Sequence, residues 1–145
     1  MTPADLRALA KRACEEKPSR ELDDAIAFTR LPSDAEHPTK SIYGWKYRVF
    51  GLTGWEDEWL DTKPYTISLD AAASLMPGGW WLHRVGEVRR EIVCAGDRHQ
   101  PLGIFRCEIQ HVRGGRLQCA EAPTEPQARA AAALLARAAD MEGTA

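Results

Sequence analysis

The sequence predicts one layered α+β domain, in which two helices, an extended aromatic segment and a third helix precede three antiparallel strands and a last helix. Three observations predict this class: capped amphipathic patterns at the amino end, alternating patterns around the Gly114–Gly115 pair, and a capped alanine-rich segment at the carboxyl end. A length of 145 residues suits a single core. The range 1–145 is therefore treated as one domain, with a variable aromatic and loop segment from Leu31 to Lys63.

The first helix is predicted from Pro3 to Glu16, because Thr2 can cap it, Pro3 suits its first position and Asp5 stands three residues after the cap. Apolar residues at helical spacing form its buried stripe: Leu6, Leu9, Ala10 and Ala13. Ser19 caps a second, shorter helix, whose inward residues are Leu22, Ile26 and Phe28. The positive end of its dipole favours the acids of its first turn, Glu21 and Asp23.

The middle of the chain is rich in aromatic residues. The stretch from Leu31 to Lys40 has two prolines and no apolar period, which predicts an exposed loop. The residues that follow alternate with polar residues and glycine, which predicts a strand or an extended arm: Tyr43, Trp45, Tyr47 and Val49. Four acids among the tryptophans are predicted to form a solvated run in a turn: Glu56, Asp57, Glu58 and Asp61.

The second half of the chain has a more regular pattern. A third helix is predicted from Leu69 to Met76 with Ser68 as its cap. WWLHRVGEVRREIVC then predicts one long strand or a bent pair of strands, with Gly86 as the candidate position of a bulge. GIFRCEIQHV and RLQCAEA predict two more strands joined by the glycine pair. The last helix begins at a T-x-x-Q capping box formed by Thr124 and Gln127.

Composition excludes several classes of function. The chain has 19 Lys and Arg against 21 Asp and Glu, and the formal charge of -2 excludes a basic nucleic-acid coat and an acidic disordered tail. No apolar run approaches the about 18 residues of a membrane span, and Asp5 interrupts the stretch that a signal peptide would need. We therefore expect a cytoplasmic protein that does not contact membranes.

The four cysteines do not have the spacing of a structural zinc site. One alternative places three of them around a metal with either of two histidines: Cys94, Cys107 and Cys119 with His99 or His111. The favoured interpretation is that cytosolic thiols act as small buried apolar residues. No metal and no cofactor are therefore predicted.

No catalytic constellation is recognisable in the sequence. The acids of the aromatic segment lack a nearby His or Lys companion, which argues against paired acid–base chemistry. Ser68 has no glycine-framed elbow, so Ser68, Asp70 and His83 do not form a nucleophile motif. The glycine pairs lack the helix and lysine that a phosphate-binding loop requires. No catalytic residue is predicted, and an enzyme with an unrecognised site stays a third alternative.

Three stretches together resemble the phage ABA sandwich domain family: SRELDDAIAF, PYTISLDAAASLMPGGWW and APTEPQARAAAALLARAA. They cover the amino-terminal helices and most of the region from Pro64 to Ala139, but not the segment from Leu31 to Lys63. The resemblance implies an α/β/α sandwich from a phage or prophage genome, working in the cytoplasm of a bacterial host cell. It implies no activity and no catalytic residues.

The aromatic segment supplies the first candidate site. Four residues are predicted to bind a partner protein from the host or the phage: Trp45, Arg48, Trp55 and Trp59. Tryptophan and arginine are residues that dominate the energetics of interfaces. The alternative is that the tryptophans complete the core, and it is favoured because such large side chains are usually mostly buried.

A nucleic-acid site is the alternative candidate. The order helix, three strands, helix from Leu69 onward is also that of a double-stranded-RNA-binding domain, and arginines of the strands can form a basic patch: Arg84, Arg89, Arg106 and Arg113. Such domains place lysines at the start of the last helix, where this chain has Thr124, Glu125, Pro126 and Gln127. The preferred hypothesis is a non-enzymatic accessory protein that binds a macromolecular partner. The resemblance alone implies that it comes from a phage or prophage and that anti-defence inhibition, including that of a CRISPR complex, is one form of this function.

Overall fold

Four α-helices and two three-stranded antiparallel sheets make up the part of the chain that the computed structural model describes, residues 1–88 and 104–143. The predicted α+β class is confirmed. The elements are α1 (Pro3–Glu15), α2 (Arg20–Phe28), β1 (Glu36–Lys40), β2 (Gly44–Gly51), β3 (Gly54–Asp61), α3 (Leu69–Ala73), β4 (Trp80–Val88), β5 (Ile104–His111), β6 (Leu117–Ala122) and α4 (Glu125–Gly143).

The caps fix where the amino-terminal helices begin. Thr2 Oγ1 accepts a hydrogen bond from Asp5 N at 3.1 Å, and Asp5 Oδ2 accepts one from Thr2 N at 2.7 Å, so the predicted capping box is confirmed. Ser19 Oγ accepts from Leu22 N at 3.1 Å and starts α2 in the same way. The predicted inward residues of α1 and α2 are buried, except Phe28, which is half-buried.

Helix α4 packs against α1 and against one face of the sheet β4–β5–β6. The small alanine side chains of α4 let its backbone lie close to α1 and to the sheet. Buried Gln127 fixes α4 to α1, because its Nε2 donates to Ala13 O at 3.0 Å and to Glu16 O at 2.8 Å. The predicted capping box is only half formed: Gln127 N donates to Thr124 Oγ1 at 3.4 Å, but Gln127 Oε1 accepts from Thr124 Oγ1 at 2.9 Å and not from the Thr124 backbone N–H.

The sheet β4–β5–β6 directs its alternate residues towards and away from α4. Its buried residues face the helix: Trp80, Cys107, Ile109, Ala120 and Ala122. The register shift of β4 lies between Leu82 and Arg84, so the bulge is at His83 and not at Gly86, which pairs in register with Arg106. Helix α3 ends at Ala73, three residues before the predicted end.

The second sheet, β1–β2–β3, has two strands that the sequence did not predict. Strand β1 lies where a loop was predicted and β3 where the acids were predicted to form a turn, so both predictions are wrong. The reason is exposure: all five residues of β1 and six of the eight in β3 are exposed, and strands without a buried face lack an apolar period.

The two sheets pack against different helices. Helix α4 covers one face of β4–β6, the second sheet packs on α2 through β2, and no described helix covers the opposite face of β4–β6. Among the described residues no helix combines the length and apolar character needed to cross a membrane.

Candidate functional site

The exposed face of the β2–β3 hairpin gathers aromatic and charged side chains. The register pairs Phe50 with Trp55, Arg48 with Asp57 and Lys46 with Trp59. Because alternate residues of paired strands share a face, all six side chains lie on one side of the hairpin. This face is called the hairpin surface below, and its residues are Lys46, Arg48, Phe50, Trp55, Asp57 and Trp59.

Three aromatic rings of the hairpin surface are in contact with solvent. Trp55 is 53% exposed, Trp59 55% and Phe50 71%. The rings of Phe50 and Trp55 meet edge to face, with centroids 5.5 Å apart. A cluster of large apolar side chains on the surface is typical of a binding site.

The charged residues of the hairpin surface hold one another in place. Asp57 Oδ1 lies 3.2 Å from Arg48 Nε, and Asp57 Oδ2 lies 3.4 Å from Lys46 Nζ. Lys46 Nζ also lies 5.4 Å from the centre of the Trp59 ring. Desolvation raises the pKa of Asp57, but Lys46 and Arg48 outweigh it and the pKa is lowered, so the carboxylate stays charged at neutral pH.

The opposite face of the hairpin is anchored on α2. Trp45 is half-buried, its ring meets that of Phe28 at 4.8 Å between centroids, and its Nε1 donates to Asp24 O at 2.9 Å. Trp45 therefore lies on the side of the hairpin opposite Trp55 and Trp59.

The Asp24 side chain is the second anchor of the hairpin. It is 2% exposed, and its Oδ1 accepts a hydrogen bond from Thr62 Oγ1 at 2.6 Å, just beyond the end of β3. Its Oδ2 lies 3.1 Å from Lys40 Nζ, so the carboxylate also forms an ion pair with this lysine. Arg20 Nε lies 3.3 Å from Oδ1. Burial raises the pKa of Asp24, but Thr62, Lys40 and Arg20 outweigh burial and lower it.

The predicted partner-binding residues are thus separated by the structure. It brings together Arg48, Trp55 and Trp59 and places Trp45 on the inner face. The favoured interpretation, that the tryptophans complete the core, is wrong for Trp55 and Trp59. Sequence reasoning missed Lys46, Phe50 and Asp57, although a hairpin assigned through Gly51 and Gly54 would have placed them opposite the predicted residues.

The three predicted arginines that the structure describes lie beside acids or in a turn. Arg84 and Arg106 lie on the exposed face of β4–β6, but Arg106 Nε donates to Glu121 Oε1 at 2.8 Å and Arg84 lies opposite Glu108. Arg113 lies in the turn between β5 and β6, and Arg89 lies outside the described residues. The described part of this face therefore carries acids beside its arginines, which weakens its attraction for phosphates.

The metal alternative is not supported by the positions of the described cysteines. Cys107 is buried against α4 whereas Cys119 is exposed, and their register positions place them on opposite faces of the sheet. Cys94 and His99 lie outside the described residues, and those that are described contain no cluster able to hold a metal ion. Burial raises the pKa of Cys107 to about 11, so it stays a thiol at neutral pH.

The described cavities hold no recognisable catalytic arrangement. One of about 440 Å³ lies beside the end of α2 and includes Thr29 and Arg137 in its lining. Arg137 donates to Thr29 Oγ1 at 2.7 Å and to Thr29 O at 2.6 Å, so it stabilises the end of the helix. Ser68 caps α3 by accepting from Ala71 N at 3.3 Å.

We compared the chain with known protein families, curated proteins and solved structures. No family model, curated protein or solved structure matches the chain. The resemblance to the phage ABA sandwich domain family rests on the three sequence stretches alone.

Proposed function

We propose that the chain is a non-catalytic accessory protein that binds a partner protein through the hairpin surface. One observation carries the proposal: Phe50, Trp55 and Trp59 share one exposed face of a hairpin whose other face is fixed to α2. Aromatic side chains contribute strongly to interfaces, and rings already held in place lose little conformational freedom on binding.

The charges of the hairpin surface suit a protein partner better than a nucleic acid. Lys46 and Arg48 share the carboxylate of Asp57, so only one of the two positive charges is left to attract phosphates. An Arg–Asp pair beside exposed tryptophans can exchange hydrogen bonds with polar groups at the rim of an interface. The resemblance to a phage family supports a host or phage protein as the partner, including a host defence complex.

We expect Trp55→Ala and Trp59→Ala each to weaken partner binding by about 2 kcal/mol, or about 30-fold, because each removes a large exposed ring from the surface. The measurement is an affinity pull-down of the tagged chain from bacterial lysate, with and without phage infection and after nuclease treatment, followed by titration of the recovered partner.

Trp81→Ala is the matched control, because Trp81 is 45% exposed but lies on the other sheet. It should leave capture unchanged. The proposal fails if capture is the same for the wild type and both hairpin variants, or if nuclease abolishes it. The second result would favour a nucleic-acid-binding protein.

A further inference from the structure

The two edges of the sheet β1–β2–β3 differ in how they are protected. Strand β1 has five residues, contains Pro38, which has no N–H group, and has a register shift between Glu36 and Thr39. Short length, proline and irregular pairing are the usual means of preventing a further strand from adding to an edge. Strand β3 has eight residues, no proline and an unbroken register with β2.

The outer edge of β3 is open in the described part of the chain. Its one strand neighbour there is β2, and all five residues from Trp55 to Trp59 are exposed. Because a strand directs alternate backbone groups to each side, half of the N–H and C=O groups of β3 face away from β2. A segment lying along this edge would find a ladder of unpaired donors and acceptors.

The side chains on the two faces of β3 have different chemistry. Trp55 and Trp59 belong to the hairpin surface, whereas Glu56 and Glu58 belong to the opposite face. Glu56 Oε1 accepts from Thr53 Oγ1 at 2.8 Å, and Glu58 forms no ion pair with a described residue. An added strand would therefore have aromatic rings beside one set of its side chains and carboxylates beside the other.

A second copy of β3 is a poor occupant of this edge. Two β3 strands paired with each other would bring the acids of one chain against the acids of the other, and like charges on neighbouring strands are destabilising. The same acids attract a strand that carries lysine or arginine. Charge complementarity therefore selects a basic partner segment over self-association.

We infer that β3 binds an extended segment of the partner by strand addition, with Lys or Arg at alternate positions facing Glu56 and Glu58 and apolar residues between them facing Trp55 and Trp59. This inference rests on the proposed function, since it names the chemistry of the partner that the hairpin surface binds. The backbone ladder would supply affinity and the alternating side chains would supply specificity.

The test selects ligands for the tagged full chain from a library of random decapeptides. We expect the selected peptides to carry Lys or Arg at every second position. Glu58→Lys should weaken their binding by about tenfold, because an attraction becomes a repulsion. Glu36→Lys, at the opposite edge of the same sheet, is the matched control and should leave binding unchanged.

Methylation of backbone nitrogens in a selected peptide distinguishes strand addition from simple charge attraction. Methyl groups on the alternate nitrogens that face β3 should abolish binding, while those on the intervening nitrogens should leave it largely unchanged. Equal effects at both sets of positions, or selected peptides without alternating basic residues, would overturn the inference. A pull-down that still depends on Trp55 and Trp59 would then leave the proposed function standing, whereas capture insensitive to both residues would reject that function whatever the library gives.

Discussion

Gly44→Ala is expected to lower the free energy of unfolding by about 3 kcal/mol or more and to abolish binding through the hairpin surface. A Cβ atom at Gly44 would lie 2.1 Å from Leu60 O and 2.8 Å from Thr62 N. Both atoms belong to the backbone at the end of β3, so no side-chain rotation relieves the clash. The φ angle of +152° adds strain for any residue with a Cβ. The substitution therefore has to separate β2 from β3.

Gly54→Ala is the matched control for this prediction. Gly54 lies at the other end of the same hairpin with φ +113°, but a Cβ there would have no atom within 4 Å. It should cost only the backbone strain, about 1–2 kcal/mol. Urea unfolding followed by tryptophan fluorescence measures both variants. Equal losses would mean that the close approach of Gly44 to β3 does not stabilise the hairpin.

The elements that could be predicted from the sequence are those with local chemical signals. Thr2 and Ser19 cap their helices as predicted, and Gly114 and Gly115 adopt φ +83° and +67° in the turn between β5 and β6. A cap or a positive φ depends on a few adjacent residues, so the sequence contains the whole signal.

The second sheet lacks such a signal, because its outer strands bury almost nothing. Register is also a long-range property: the pairing of Arg48 with Asp57 follows only when the two-residue turn between Gly51 and Gly54 is assigned. The candidate site was therefore predicted in part, since aromatic content identified Trp55 and Trp59 but could not separate them from Trp45. Asp23 was assigned to the helix dipole, yet it is buried and accepts from Thr66 N at 2.9 Å.

Two adjacent buried aspartates of α2 accept hydrogen bonds from Thr62 and Thr66, which follow β3 in the chain. Removing the charge of each aspartate is predicted to have opposite effects on the free energy of unfolding. Asp23 is 3% exposed and Asp24 2%. Desolvation raises the pKa of Asp23 despite its hydrogen bonds from Thr66, so its charged form is disfavoured in the folded state. The pKa of Asp24 is lowered, because Thr62, Lys40 and Arg20 outweigh burial, so its charged form is favoured there.

Asp24→Asn should lower the free energy of unfolding at pH 7 by about 2 kcal/mol, because it weakens a charged hydrogen bond and two ionic contacts. Asp23→Asn is the matched control on the same helix. It should change stability at pH 7 little or increase it, since an amide oxygen can still accept from Thr66 and no charge is buried.

The pH dependence follows from the same two pKa directions. A carboxyl whose pKa is lowered on folding contributes stability above its unfolded pKa of about 3.9, and this is lost as the pH falls towards the folded value. Asp24→Asn should therefore lose less stability than the wild type below about pH 4.

The raised pKa of Asp23 has the opposite effect. The folded protein becomes more stable as the pH falls from the pKa that Asp23 has in the folded state to its pKa in the unfolded state. Asp23→Asn should remove this increase in stability. Urea unfolding of the three proteins between about pH 3 and 7 measures both effects. Parallel curves for the wild type and Asp24→Asn would show that Asp24 does not anchor the hairpin through its charge, and the support for the hairpin surface would then come from Trp45 and Gly44.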